Sequence, residues 1–314
     1  MKKLLGATLL ASLCAVGLGS ASALSDNSGG TTVAGLQDRT RRAVPRTNTS
    51  PDLLEIPEPE NSPEFLKLEK SPGWKRLPRQ QRSTINFTGG FEGSNFNGWL
   101  REICCSHSAA ITTSPVREGR FSARMILRRS DGDVQGSKRS ELAHYPVAAN
   151  SEYTYRFSLF LPSDYSYDRS FEILMQMQSF PDSNLGEAWR SPPMMLRTAY
   201  GKWFLESRWD SKQVTVNNRP EGNQTWDLGS YAKGRWTDWV IHVKWSHRSD
   251  GLLEVWRDGQ LVARRVGPNT YNDARGPYFK AGIYKPDWKY NPSFSSTSQR
   301  TIYVDAVRIY PGKP

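Results

Sequence analysis

From Thr84 onward the chain is built of short runs in which apolar and polar side chains alternate, separated by Gly, Asn, Asp and Pro. That is the pattern of half-buried β-strands joined by tight turns. Strands are predicted at Phe121–Leu127, Tyr153–Phe160, Lys202–Trp209, Trp239–Trp245, Leu252–Trp256 and Thr301–Tyr310. Asp258-Gly259, between Val255-Trp256 and Leu261-Val262, predicts a two-residue hairpin turn. No long segment holds a helical period, and no repeat recurs. Residues 84–314 therefore read as one all-β domain, a β-jelly roll of the concanavalin-like β-sandwich type. Its many Trp residues supply core, with a few as candidate sugar platforms.

Three further strands carry unusual polar faces. In Tyr278–Tyr284, Tyr278, Lys280, Gly282 and Tyr284 share one side, and Phe279, Ala281 and Ile283 the other, because successive strand side chains alternate. The glycine is read as a gap where a flat ligand could approach the backbone. Lys138–Leu142 pairs Arg139 with Glu141, and Phe171–Gln178 pairs Gln176 with Gln178. An antiparallel sheet with one wet face alternates in this way by default. Guanidinium, amide, ammonium and phenol are nonetheless the donors that suit carboxylates and sugar hydroxyls.

Residues 1–23 have the form of a signal peptide: Lys2 and Lys3, an apolar run from Leu4 to Leu18, then Ala21-Ser22-Ala23 with cleavage expected after Ala23. Leu13 before Cys14 fits a lipid-anchor signal poorly. Residues 24–83 hold few apolar side chains and include Pro51, Pro57, Pro59, Pro63 and Pro72. They are expected to form a disordered or tethering arm. No later stretch approaches the ~20 apolar residues of a membrane span. The expected location is secreted or periplasmic.

The formal charge of +11 becomes +9 once Lys2 and Lys3 leave. A basic exported chain suggests a polyanionic partner, whether acidic polysaccharide, nucleic acid or anionic surface. Removing the leader leaves Cys104 and Cys105 alone. A vicinal disulfide, an intermolecular bond and two buried thiols stay open, with the thiols favoured. Two adjacent cysteines are a weak metal signal.

RSEL at Arg139–Leu142, the Gln176/Gln178 pair and YFKAGIY at Tyr278–Tyr284 resemble the three signature strands of jelly-roll polysaccharide lyases of the alginate lyase type. SPVREGRFSARM at Ser114–Met125, WVIHVKWS at Trp239–Ser246 and DGLLEVWRDG at Asp250–Gly259 are similar to the heparin lyase I and glucuronan lyase-like group. The resemblance implies β-elimination on a uronate polymer such as glucuronan, alginate or a glycosaminoglycan. It assigns Tyr284 as catalytic base and acid, and Arg139 and Gln176 to the substrate carboxylate. Gln178, Lys280, Glu141 and Tyr278 follow as substrate-binding residues. Those families usually carry His where this chain has Gln178, and an amide takes no proton at neutral pH. His242 is the best substitute by strand phase, with a surface or satisfied histidine the favoured reading of it; His144 shares the phase of Leu142 and points to the core, and His107 and His247 read as loop residues. No cofactor is required. A structural Ca²⁺ is compatible with the scaffold, although no ligand spacing points to one. The chain is expected to act as a monomer. The rivals are a non-catalytic carbohydrate-binding domain on the same scaffold, a glycoside hydrolase, for which Glu141 lacks an acidic partner, and a nucleic-acid binder, which ranks below the polysaccharide reading.

Overall fold

The computed structural model describes residues 84–314; the expected leader and arm lie outside the described residues. Fifteen strands follow in order among them. They are β1 (Phe87–Thr88), β2 (Leu100–Glu102), β3 (Ala109–Thr112), β4 (Ser122–Arg128) and β5 (Arg139–Pro146). Next come β6 (Glu152–Leu161), β7 (Glu172–Gln178), β8 (Met194–Ala199), β9 (Lys202–Trp209) and β10 (Gly222–Ser230). The series closes with β11 (Arg235–Lys244), β12 (Leu252–Arg257), β13 (Gln260–Val266), β14 (Tyr278–Tyr284) and β15 (Gln299–Pro311). One short helix, α1 (Asp287–Tyr290), follows β14.

The strands form two antiparallel sheets. One runs β13-β12-β11-β6-β15-β4-β3, with β1 added on β15; the other runs β10-β9-β8-β7-β14-β5-β2. Each sheet joins a run of consecutive strands, β11 to β13 or β7 to β10, to long-range pairings such as β11–β6, β6–β15, β7–β14 and β14–β5, as expected of a jelly roll rather than a pure meander. Alternation along each strand sends one set of side chains between the sheets. Leu142, Met177, Leu196, Leu205, Phe279, Ala281 and Ile283 from one sheet meet Leu159, Trp239, Ile241, Val255, Ile302 and Val304 from the other. Trp203, Trp239 and Trp245 are fully buried there, so these three are core. The predicted hairpin joins β12 to β13, with Asp258 at φ 50° and Gly259 at φ 81°, the two positive values that a type I′ turn requires. No helix among the described residues is long and apolar enough to cross a membrane.

Candidate active site

The seven-stranded sheet seats β14 between β7 and β5. Tyr284 lies opposite Arg139 of β5, Lys280 opposite Gln176 of β7, and Tyr278 opposite Gln178. The three polar strand faces thus become one surface on the outer side of this sheet, away from the core. β2 completes it by pairing Glu102 with Glu141.

The charged groups on this surface form a closed quartet. Lys280 Nζ sits 2.6 Å from Glu102 and 2.7 Å from Glu141. Arg139 NH1 reaches Glu102 at 3.2 Å and Glu141 at 3.4 Å, with Gln135 Oε1 also at 3.4 Å. Gln176 Nε2 donates to Glu141 Oε1 at 2.6 Å. Two cations and two carboxylates cancel, and all four residues are at most 6% exposed. Burial alone would raise the Glu102 carboxyl, but Lys280 and then Arg139 outweigh it and hold the group below its ordinary value. Only the NH1 end of Arg139 is tied down. Its Nε is buried and makes no hydrogen bond among the described residues. The edge that can present two parallel N–H bonds to a carboxylate is therefore held in place and not engaged at Nε.

The Arg139 guanidinium lies 4.5 Å from the centre of the Tyr284 ring. Burial raises the Tyr284 hydroxyl above its ordinary value, and Arg139 only partly counters this. The resting group is therefore a neutral phenol. Tyr278 stacks on Phe180 with centroids 4.8 Å apart, and burial holds its hydroxyl well above the ordinary value.

Four readings are corrected. Gly282 is not a gap for a ligand. Its φ is +148°, and an added Cβ would meet Ser140 O at 2.2 Å and Glu141 Cα at 2.6 Å, so the glycine lets β14 and β5 approach. Gln178 directs its amide at backbone: Nε2 donates to Arg190 O at 3.2 Å, and Oε1 accepts from Ser179 N at 2.8 Å. His242 is on β11 in the opposite sheet, between Glu152 at 2.7 Å and Glu254 at 3.2 Å, so it is no substitute for the missing histidine. The strand phase gave its face correctly but not its sheet. Cys104 and Cys105 are not free thiols; they form a vicinal disulfide, which leaves no thiolate for a metal. His144 does pack inward, its ring 4.1 Å from Phe87, and burial lowers it to about 4.

Sequence reasoning missed Glu102, Gln135 and a second polar group on the same face. Glu102 ends a three-residue strand, too short to carry a period, and only the β2–β5 pairing reveals it. Arg197 on β8 and Glu206 and Arg208 on β9 were readable from alternation in MMLRTA and WFLESRW, but nothing linked them to the signature strands. Register now does so: Arg139, Tyr284, Ile173, Arg197 and Phe204 form one row across five strands.

The fold is an antiparallel double-sheet jelly roll whose outer face gathers a phenol, a guanidinium and an amide from adjacent strands. The polysaccharide lyase family model matches residues 81–308, and the chain belongs to that family. Among solved structures it is similar to an endo-β-1,4-glucuronan lyase from the fungus Trichoderma reesei, at 19% identity and TM-score 0.61, over 72% of this chain and 95% of that one. It also matches a cellulose-induced protein, Cip1, at 12% identity and TM-score 0.48, over 73% and 98% of the two chains. An alginate lyase of polysaccharide lyase family 7, AlgAT5, matches at 16% identity and TM-score 0.44, over 69% and 95%. No curated protein sequence matches the chain.

Proposed function

We propose that this polysaccharide lyase is exported through the leader at residues 1–23 and cleaves a uronate-bearing polysaccharide by β-elimination. The observation that carries the reading is the register of Tyr284, Arg139 and Gln176 on three adjacent strands. β-Elimination removes the proton α to a carboxylate and expels the glycosidic oxygen from the next carbon. The α-proton is barely acidic while the carboxylate keeps its charge, so donors must stabilise the dianion as it develops. The free edge of Arg139 suits that task, since Glu102, Glu141 and Gln135 already fix its other end. Gln176 has a second amide N–H beyond the one given to Glu141.

Tyr284 is the base and then the acid. It takes the α-proton and returns it to the leaving oxygen, which must lie on the same side of the sugar. Abstraction needs the phenolate, so the resting phenol first gives its proton to solvent, and the ring contact with Arg139 stabilises the anion. The anion takes the α-proton, and the neutral phenol so formed protonates the leaving oxygen, which regenerates the phenolate. Gln178 cannot share the proton work. The low exposure of the quartet limits water around the developing charge, which strengthens each interaction.

The similarity in fold to a glucuronan lyase favours a uronan substrate. The test is a panel of glucuronan, alginate, heparin, hyaluronan and pectate, each followed for the ultraviolet absorbance of a new unsaturated uronate. Wild type is expected to give that product on at least one polymer. Tyr284→Phe is expected to lower kcat by about 10²–10⁴-fold, the usual contribution of a positioned acid–base group. Full activity in that variant removes Tyr284 from the role. Binding without any new double bond, in wild type, leaves a carbohydrate-binding domain instead.

A further inference from the structure

Two strands beyond Tyr284, the same face carries a second cationic group. Arg197 of β8 lies in the Tyr284 row, separated from it by Ile173 of β7. At a strand spacing of ~4.8 Å, two steps amount to roughly 10 Å. The intervening floor is apolar: Ile173, Met195 and Tyr284 pack together, with Phe171 against them. Arg197 is held by rings, with its guanidinium 4.7 Å from the Phe204 centroid and 5.7 Å from that of Phe171.

The hydrogen bonding of Arg197 differs from that of every other cation described on this face. Among the described residues its side chain makes no hydrogen bond, and its nearest carboxylate oxygen, Glu206 Oε2, stands 3.9 Å away. Glu206 is committed elsewhere: its Oε1 takes Arg208 Nε at 2.7 Å and Arg208 NH2 at 2.6 Å. Two guanidiniums thus surround one carboxylate, a surplus of one positive charge on a face where the quartet has none. The Arg197 side chain retains 10% exposure. A guanidinium stacked between rings, with its N–H donors unengaged, is oriented to receive a planar anion in bidentate fashion.

The geometry points to Arg197 as the anchor of a second subsite, one that binds the carboxylate of a sugar other than the one being cleaved. This rests on the uronan reading above and adds to it a requirement for an acid group along the chain away from the scissile sugar. A pyranose polymer laid across the strands advances by about one strand spacing, ~5 Å, per sugar, so the row from Tyr284 to Arg197 spans neighbouring units. The interaction meets a charge that is present before and throughout the reaction. It therefore belongs to binding more than to the chemical step.

The experiment measures calorimetric affinity for sodium polyglucuronate, alginate and heparin, with a neutral β-glucan as uncharged control, alongside KM and kcat on any polymer that is cleaved. Arg197→Gln and Arg197→Met are expected to weaken binding of the anionic polymer, and to raise KM, by about 10–100-fold, as expected for loss of a hydrogen-bonded charge. In both, kcat should move much less than KM. Arg197→Met keeps the aliphatic contact with the two rings, so a purely structural role predicts near-normal binding in that variant. Arg197→Lys should recover part of the affinity. Wild-type affinity in Arg197→Met, or equal loss on the neutral glucan, overturns the subsite. If wild type binds a uronan through Arg197 yet yields no unsaturated product, the subsite stands and the lyase chemistry proposed above falls. If wild type cleaves and the Arg197 variants bind normally, the reverse holds. If no anionic polymer binds, both fall.

Discussion

The outer face of the seven-stranded sheet has two ends that use positive charge in opposite ways. At the Tyr284 end, Arg139 and Lys280 are each held by two glutamates, nearly sealed from water, and the group is neutral as a whole. At the Arg197 end, two arginines share one glutamate, and one of them makes no hydrogen bond. A neutral, rigid cluster attracts an incoming carboxylate weakly but offers donors already aimed, which is what a developing charge needs. A loosely paired cation attracts an existing carboxylate well but fixes it less tightly. On the function and subsite proposed above, the difference divides orientation for chemistry from charge for capture along a single row of strands.

The most severe way to break this comparison is to unbalance the quartet. Lys280→Met removes one cation and leaves Glu102 and Glu141 facing Arg139 alone. Removing one partner from a buried charge cluster costs about 3–5 kcal/mol, because the remaining charges stay desolvated. Arg197→Met should cost no more than about 1 kcal/mol, because Arg197 makes no hydrogen bond among the described residues, stands 3.9 Å from Glu206, and leaves that carboxylate still paired with Arg208. Denaturant melts of the two variants measure both values. Similar losses would mean that the two ends are not built differently.

A smaller effect concerns acid. The Glu102 carboxyl lies below its ordinary value in the folded chain, as Lys280 and Arg139 outweigh its burial. The native state therefore holds fewer protons there than the unfolded chain does. Its stabilisation is complete above the unfolded carboxyl value of ~4.3 and is lost as pH falls through the folded one. Glu102→Gln should flatten the acid limb of the stability–pH curve, measured by melting from pH 6 downward. Arg197→Gln should leave the shape of that limb unchanged, since its guanidinium does not titrate there. An acid limb unaltered in Glu102→Gln would detach the quartet from acid unfolding.

Much of this surface was legible because strand period fixes which side chains share a face. Alternation in RSELAHYP, EILMQMQ and YFKAGIY was enough to group Arg139 with Glu141, Gln176 with Gln178 and Lys280 with Tyr284. What alternation cannot supply is the sheet to which a strand belongs or the identity of its neighbours. His242 was misassigned for the first reason, since β11 shows the right phase in the wrong sheet. Glu102 was missed for the second, because its value as the other half of the Lys280 clamp exists only through pairing with β5. Gly282 was misread because a bare row position and a close strand approach look alike until the facing backbone is known. The vicinal disulfide lies in the connection between β2 and β3, where no periodicity exists to reason from.

Gln178 gives the finest test, because it stands where related families usually carry a catalytic histidine. Two roles compete for its amide. As a carboxylate donor it would have to release the Arg190 carbonyl and the Ser179 amide, both of which it now engages. Breaking two such bonds to gain one with the substrate is unfavourable unless the new partner is charged and desolvated. In the proposed mechanism Tyr284 and Arg139 supply the proton transfer and the aimed donors, which leaves the amide little to add. Gln178→Ala should therefore cost about 1 kcal/mol of stability from the lost backbone contacts and change kcat/KM by less than about threefold. A loss of about 100-fold in kcat, with the fold intact by melting, would show the opposite. The amide would then leave the backbone to meet the substrate, and the catalytic end would extend one residue pair further along β7 and β14 than the quartet suggests.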